Sequence, residues 1–194
     1  MRKVIVFTNL TLDGVMQAPG RPDEDLRGDF KYGGWAAPYA AMSFATGESM
    51  SNTGPLLFGR RTYEDFYNVW PNRRDNPFTD MLNNAQKYVT STTLIEPLPW
   101  VNSTLLKGDA AEAVASLKSQ PGKDFLVMGS GVLVQSLMQR NLVDLYVLLI
   151  HPLILSSGRH LFPPGTTFTT LKLVDVKSTP NGVVIATYQP IQHS

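Results

Sequence analysis

Phe125-Leu126-Val127-Met128-Gly129-Ser130-Gly131-Val132 is the stretch that decides the fold of this chain. Four apolar residues in a row read as a short strand buried on both faces, which is the habit of parallel sheets. Gly129-Ser130-Gly131 then turns the chain into a second apolar segment, read as a helix reaching Gln139 or Arg140. The same grammar occurs upstream. Leu56-Leu57-Phe58 stops at Gly59 and runs into a helix over Arg60–Asn68, which Trp70-Pro71 ends. Two buried strands that each pass through glycine into a helix are the halves of βαβ units.

The rest of the chain extends this pattern. A first strand, Lys3–Leu10, is stopped by Asp13-Gly14. The polar segment from Gln17 to Gly34 is long for a compact domain, and such loops are more often lids or binding loops than linkers. Ala36–Ser51 reads as a helix, and Thr79–Ala85 as a further turn or two. Lys87–Thr90 and Asn102–Leu106 read as strands. Asp109 caps a helix through Leu117, with Glu112 as its capping-box partner. Asp144–Leu155 is a long apolar strand whose Pro152 implies a bulge or an edge. Leu171–Ser178 and Gly182–Tyr188 form a hairpin around Thr179-Pro180-Asn181-Gly182. The expected architecture is one α/β domain over residues 1–194, with a mostly parallel central sheet, helices on both faces and a C-terminal antiparallel hairpin.

Composition narrows the function. The 194 residues carry a net charge of +1 with no basic excess, which argues against nucleic acid as a partner. There is no cysteine, so disulfides, thiolate metal sites and cysteine nucleophiles are excluded. Three histidines make a multi-histidine metal centre improbable. Met1-Arg2-Lys3 leads into an apolar run too short for a signal peptide, and no stretch approaches the roughly 20 apolar residues of a membrane span. The expectation is a soluble, cytoplasmic protein acting on a small molecule, with no membrane partner. The long apolar strand near residue 150 raises the prospect of a homodimer.

Chemistry concentrates at the two glycine turns. In Gly59-Arg60-Arg61-Thr62-Tyr63-Glu64, glycine permits close approach, the helix start offers unpaired N–H groups, and the arginines suit phosphate. The bland reading is a turn followed by a solvated basic pair. Gly129-Ser130-Gly131-Val132 suits a backbone pressed against a pyrophosphate. It is not the Rossmann fingerprint, because Val134 stands where that pattern needs Gly or Ala. One such turn is a weak signal. Two in one small α/β domain match a dinucleotide, which must be gripped at more than one point.

The ordered set of motifs resembles the dihydrofolate-reductase-like superfamily, and within it the C-terminal reductase domain of bifunctional riboflavin-biosynthesis deaminase-reductases. The motifs are Leu12-Asp13-Gly14, the turn from Gly59 to Glu64, Gly129-Ser130-Gly131, Leu142-Val143-Asp144, and His151-Pro152 through Gly158-Arg159-His160-Leu161-Phe162. Met16-Gln17-Ala18-Pro19-Gly20, Gly33-Gly34-Trp35 and Pro38-Tyr39 resemble a stand-alone subgroup. No His-x-Glu and no Cys-x-x-Cys is present, so no deaminase half is expected within these residues.

The resemblance implies NADPH as cofactor. It implies that Gly59, Arg60, Arg61 and Thr62 begin the first phosphate-binding helix, and that Ser91 and Thr92 lie near the 2′-phosphate. It further implies that Gly129, Ser130, Gly131 and Val132 meet the pyrophosphate, and that Thr8 and Asn9 lie beside the nicotinamide. Asp13 falls on the motif's acid. It could order a substrate hydroxyl or relay a proton, or simply form the turn before Gly14. Trp35, Tyr39, Phe66 and Trp70 are the aromatics that could stack on a flat heterocycle, or be core. His151 and His160 read as structural.

The implied activity is hydride transfer to a small heterocyclic or phosphoribosyl substrate, as in reduction of 5-amino-6-(5-phosphoribosylamino)uracil. Two alternatives stand beside it. Dihydrofolate reduction is opposed by the absence of a carboxylate in Ala36–Thr46. A non-catalytic nucleotide-binding protein of the same fold is the other.

Overall fold

The computed structural model describes residues 1–39, 54–76 and 78–191. Eight strands and four α-helices follow one another along them: β1 (Val4–Thr11), β2 (Leu56–Gly59), α1 (Arg60–Val69), α2 (Phe78–Asn84), β3 (Lys87–Thr90), β4 (Ser103–Leu106), α3 (Ala110–Ser119), β5 (Phe125–Met128), α4 (Gly131–Gln139), β6 (Leu145–His151), β7 (Leu171–Ser178) and β8 (Val184–Pro190). In order of hydrogen-bonded neighbours the strands run β4-β3-β2-β5-β1-β6-β8-β7. The sheet is mixed and mostly parallel, with an antiparallel C-terminal hairpin. The chain groups into two compact units, Met1–Ile5 with Thr53–Leu142, and Val6–Asn52 with Val143–Ser194.

The first unit is the parallel one. Leu56↔Leu126 and Leu57↔Val127 pair β2 with β5, and Gly59↔Thr90 and Thr90↔Leu106 carry the register through β3 to β4. The apolar residues of β2 and β5 are buried without alternation, as strands covered on both faces require. Asp109 caps α3 as its spacing predicts, accepting the Glu112 N–H at 2.9 Å.

A feature the sequence hid is Lys87, which begins β3 and is fully buried. Its ammonium donates to the carbonyls of Asn83, Ala85 and Val101 at 3.0, 2.8 and 3.0 Å, and lies 4.5 Å from the centre of the Trp100 ring. Burial pushes its pKa down to about 8. Trp100 is tied in turn, its indole N–H to Asn83 Oδ1 at 2.7 Å and its backbone N–H to the Tyr63 hydroxyl at 3.0 Å. Lys87 thus closes the carbonyls at the end of α2 in the way a helix cap does.

The C-terminal strands of the second unit are antiparallel. β6 pairs with β8 and β8 with β7, with a register shift between Leu173 and Asp175. Two expectations are corrected here. The strand predicted over Asp144–Leu155 stops at His151, so Pro152 follows the strand instead of bulging it. β6 also lies between β1 and β8, so it offers no free edge to a second chain. β7 exposes the apolar side chains of Leu173, Val174 and Val176.

The segment Gln17–Gly34 builds its own support. Gln17 Nε2 donates to the carbonyls of Asp25 and Arg27, and Gln17 Oε1 accepts the Arg159 N–H at 3.0 Å. Val15, Ala18, Phe30, Trp35 and Ala36 pack beside Leu153 and Leu155. Of the helix predicted over Ala36–Ser51, Ala37–Tyr39 is one 3₁₀ turn; residues 40–53 lie outside the described residues.

Candidate functional site

In the first unit the two glycine turns meet. The register sets Gly59, Thr90 and Leu106 level at the carboxyl ends of their strands, and Gly129 follows β5 at the same end. The Gly59 N–H donates to Ser130 Oγ at 2.9 Å, so one hydroxyl ties the turns together. Ser130 is buried and left-handed at φ 59°, after Gly129 at φ 63°. Neither α1 nor α4 receives a hydrogen bond from its N-cap side chain. Two helix N-termini with uncapped amides therefore open at one sheet end, where α/β folds place anionic ligands.

The glycines leave room. A Cβ on Gly59 would meet Ser130 and Leu133 at 3.6–3.8 Å, and one on Gly129 would meet Thr62 at 3.7 Å. Arg60 is ion-paired to Glu64 one turn along α1 at 3.0 Å, so its charge is partly neutralised. Arg61 and Val132 are exposed and Thr62 is half-buried. Ser91 Oγ accepts the N–H groups of Thr93 and Leu94 at 3.1 and 3.0 Å and touches Thr93 Oγ1 at 3.4 Å, while Thr92 is exposed. Phe66 packs on Phe58 and Trp70, with ring centres 5.2 and 6.1 Å away.

The second unit holds Thr8, Asn9, Asp13, Trp35 and Tyr39. Thr8 is buried. Trp35 is also buried, and its indole N–H donates to the Gln17 carbonyl at 2.7 Å. Its ring and that of Tyr39 stand edge-on to the imidazole of His151, with centres 5.2 and 5.1 Å away. His151 Nε2 lies 2.9 Å from Asn9 Oδ1. Sequence reading left His151 as a structural residue with no role at the site. The two residues are 142 positions apart, and only strand pairing brings them together.

Asp13 accepts the Thr11 hydroxyl and the N–H groups of Leu155 and Ser156, the latter two at 3.3 and 2.8 Å. Burial tends to raise its pKa, but the Thr11 hydroxyl and the two amides overcome this and hold the carboxyl below its usual range. An ionised group so engaged is a poor proton donor near neutral pH. Its geometry is that of a brace between the end of β1 and the turn at Leu155-Ser156. Among the described residues no cluster of His, Asp or Glu could hold a metal ion, and no helix is long and apolar enough to cross a membrane.

An eight-stranded sheet in this order, with glycine turns at the carboxyl ends of β2 and β5, is the dihydrofolate-reductase-like fold. The chain belongs to the family of the RibD C-terminal domain, whose model matches residues 2–185. A curated relative, the uncharacterized protein YyaP of Bacillus subtilis (strain 168), is 27% identical over 196 residues, covering 96% of this chain and 94% of that protein. Among solved structures, a Shewanella sp. PV-4 protein provisionally assigned to riboflavin biosynthesis aligns over 98% of this chain and 99% of its own, with TM-score 0.72 and 22% identity. A pyrimidine reductase-like protein of Corynebacterium diphtheriae aligns over 99% of this chain and 93% of its own, with TM-score 0.68 and 14% identity. At these identities the structural likeness establishes the fold.

Proposed function

We propose that the chain is an NADPH-dependent reductase that delivers hydride to a C=N or C=O carbon of a small heterocyclic or phosphoribosyl substrate. One observation carries the reading: two helix starts with uncapped amides open at the same sheet end, on glycine turns joined by the Ser130 hydroxyl. When bound, NADPH supplies the hydride from C4 of its nicotinamide. The amides at the starts of α1 and α4 would take its phosphate oxygens, with Thr62 and Arg61 supplying a hydroxyl and a positive charge. Ser91 Oγ accepts two amides, and its hydroxyl proton, within reach of Thr93 Oγ1 at 3.4 Å, would turn to a 2′-phosphate. Arg60 contributes what charge Glu64 leaves it. Thr8 and Asn9 of the second unit would hold the nicotinamide, and Trp35 and Tyr39 of that unit are the aromatic side chains available to a flat substrate ring. Asp13 orders the turn at Leu155-Ser156 as a fixed negative charge and does not surrender a proton. The partner we assign to the exposed side chains of β7 is a second copy of the chain, and the working compartment is the cytoplasm.

The test is NADPH oxidation followed against a panel of pyrimidine, pterin and carbonyl substrates, with NADPH affinity measured beside it. Turnover of a ribosylamino-pyrimidine would narrow the activity to the riboflavin type. Absence of NADPH binding would end the reading.

A further inference from the structure

His151 is 1% exposed at the end of β6, where an aliphatic side chain would cost no desolvation. Its Nε2 lies 2.9 Å from Asn9 Oδ1, and its Nδ1 is buried with no hydrogen-bond partner. These two facts fix the protons. A carboxamide oxygen only accepts, so Nε2 carries the hydrogen and Nδ1 is left as a lone pair. The reversed amide would force the hydrogen onto Nδ1 and bury an N–H with nothing to accept it, the worse of the two arrangements. Trp35 and Tyr39 stand at 86° and 79° to the imidazole and hold its rotamer. Asn9, Trp35 and Tyr39, the described side chains that bond or face the ring, carry no charge, and burial pushes its pKa down to about 4. The imidazole is therefore neutral, and the tether does not switch across the neutral range.

The consequence falls on Asn9. With Oδ1 committed to His151, both N–H bonds of its amide point elsewhere, on the carboxyl-terminal half of β1, the strand end at which this class of sheet binds ligands.

We propose that His151 is a positioning residue: it orients the Asn9 carboxamide so that Nδ2 donates to a carbonyl oxygen on a flat-ring ligand. That carbonyl belongs either to the carboxamide of a nicotinamide or to the ring of a pyrimidine-type substrate. The identity of the ligand rests on the reductase reading; the orientation of Asn9 rests on the geometry alone. In the first case the pair fixes which face of the nicotinamide is offered. In the second it stabilises the charge that builds on the carbonyl as hydride arrives at the ring.

The experiment is nitrogen-15 NMR of the full chain, with the His151 ring and the Asn9 side-chain amide assigned. The wild type should show a neutral imidazole protonated at Nε2 from pH 8 to pH 5.5, and an ordered Asn9 NH₂ pair. Adding NADPH alone, or uracil alone, separates the two sources, and the Asn9 pair should move in one arm. His151→Phe keeps a ring and removes the donor, whereas His151→Gln restores an N–H near the position of Nε2. In His151→Phe the Asn9 pair should lose its dispersion. NADPH affinity should fall about tenfold if the nicotinamide is the ligand, or kcat about tenfold at unchanged NADPH affinity if the substrate is, as expected for one oriented donor. His151→Gln should recover most of either loss. The proposal is overturned if the Asn9 pair ignores both ligands, if His151→Phe leaves it unchanged, or if a folded His151→Gln fails to rescue. Should Asn9 respond as described while no NADPH is oxidised with any substrate, the reductase reading fails and the positioning role stands.

Discussion

Asp13 and His151 show how differently two titratable residues are used at one strand end. The Asp13 carboxylate is stable in its ionised form because two amides and a hydroxyl donate to it. Its contribution to stability is present above the unfolded value near 3.8 and is lost as pH falls through the lower folded value, so it gives no slope near neutrality. Asp13→Asn replaces one acceptor oxygen by an NH₂ that confronts the Ser156 or Leu155 N–H. Calorimetry should show a loss of about 1 kcal/mol, the net worth of a hydrogen bond at a part-exposed site. Equal stability of the variant would mean that the brace contributes nothing. His151 runs the other way. Its imidazole titrates near 6.5 in the unfolded chain and near 4 when folded, so the unfolded state binds the extra proton in between. Stability should be fully present above about pH 6.5 and decline toward pH 4, by up to about 3 kcal/mol. Denaturant titrations across that range should show the decline in the wild type and a flatter profile in His151→Phe. Neither behaviour is legible in the sequence. Asp-Gly announces a turn, but the partners of Asp13 include two amides some 140 positions away.

At the level of elements, the strand-glycine-helix segments were the most legible part of the chain, because each is a local rule: an apolar run, a glycine, a helix start. β2, β3 and β5 fall where the residue pattern puts them, and so does the Asp109 cap. The long strand near residue 150 was misjudged for a physical reason. Apolar residues continue past His151 into Leu153 and Leu155, but these pack under the loop cluster and not in the sheet. The two glycines of the phosphate-facing turns now make different tests. Gly59 has φ −79° and ψ 159°, ordinary extended backbone, and a Cβ there meets neighbours only at normal contact distance. Gly59→Ala should therefore fold with a Tm within about 2 °C of the wild type, while NADPH affinity falls tenfold or more if phosphate approaches that turn. Gly129 sits at φ 63°, so Gly129→Val adds backbone strain of about 1 kcal/mol or more to any loss of binding and is the less clean probe.

For the whole molecule, the family was readable from motif order, whereas the division into two compact units and the hairpin's exposed outer strand were not. Periodicity predicts that a strand exists and which residues share a face; it does not say which strand will lie outermost. β7 is such a strand, with Leu173, Val174 and Val176 about half exposed. Sedimentation of the wild type should show a dimer, and a Val174→Lys, Val176→Lys variant should sediment as a monomer with its fold intact. If the wild type is monomeric at every concentration, the assignment of β7 to a second copy fails. Lys87 has a use of another kind. An amine held beneath Trp100 and hydrogen-bonded to three carbonyls is closed to reagents while the first unit is intact. Exposed lysines such as Lys3 and Lys172 should acylate promptly, and Lys87 only when that unit opens. Mass spectrometry of one residue would then serve as a chemical clock for local opening, in a chain that has no thiol to compete for the label.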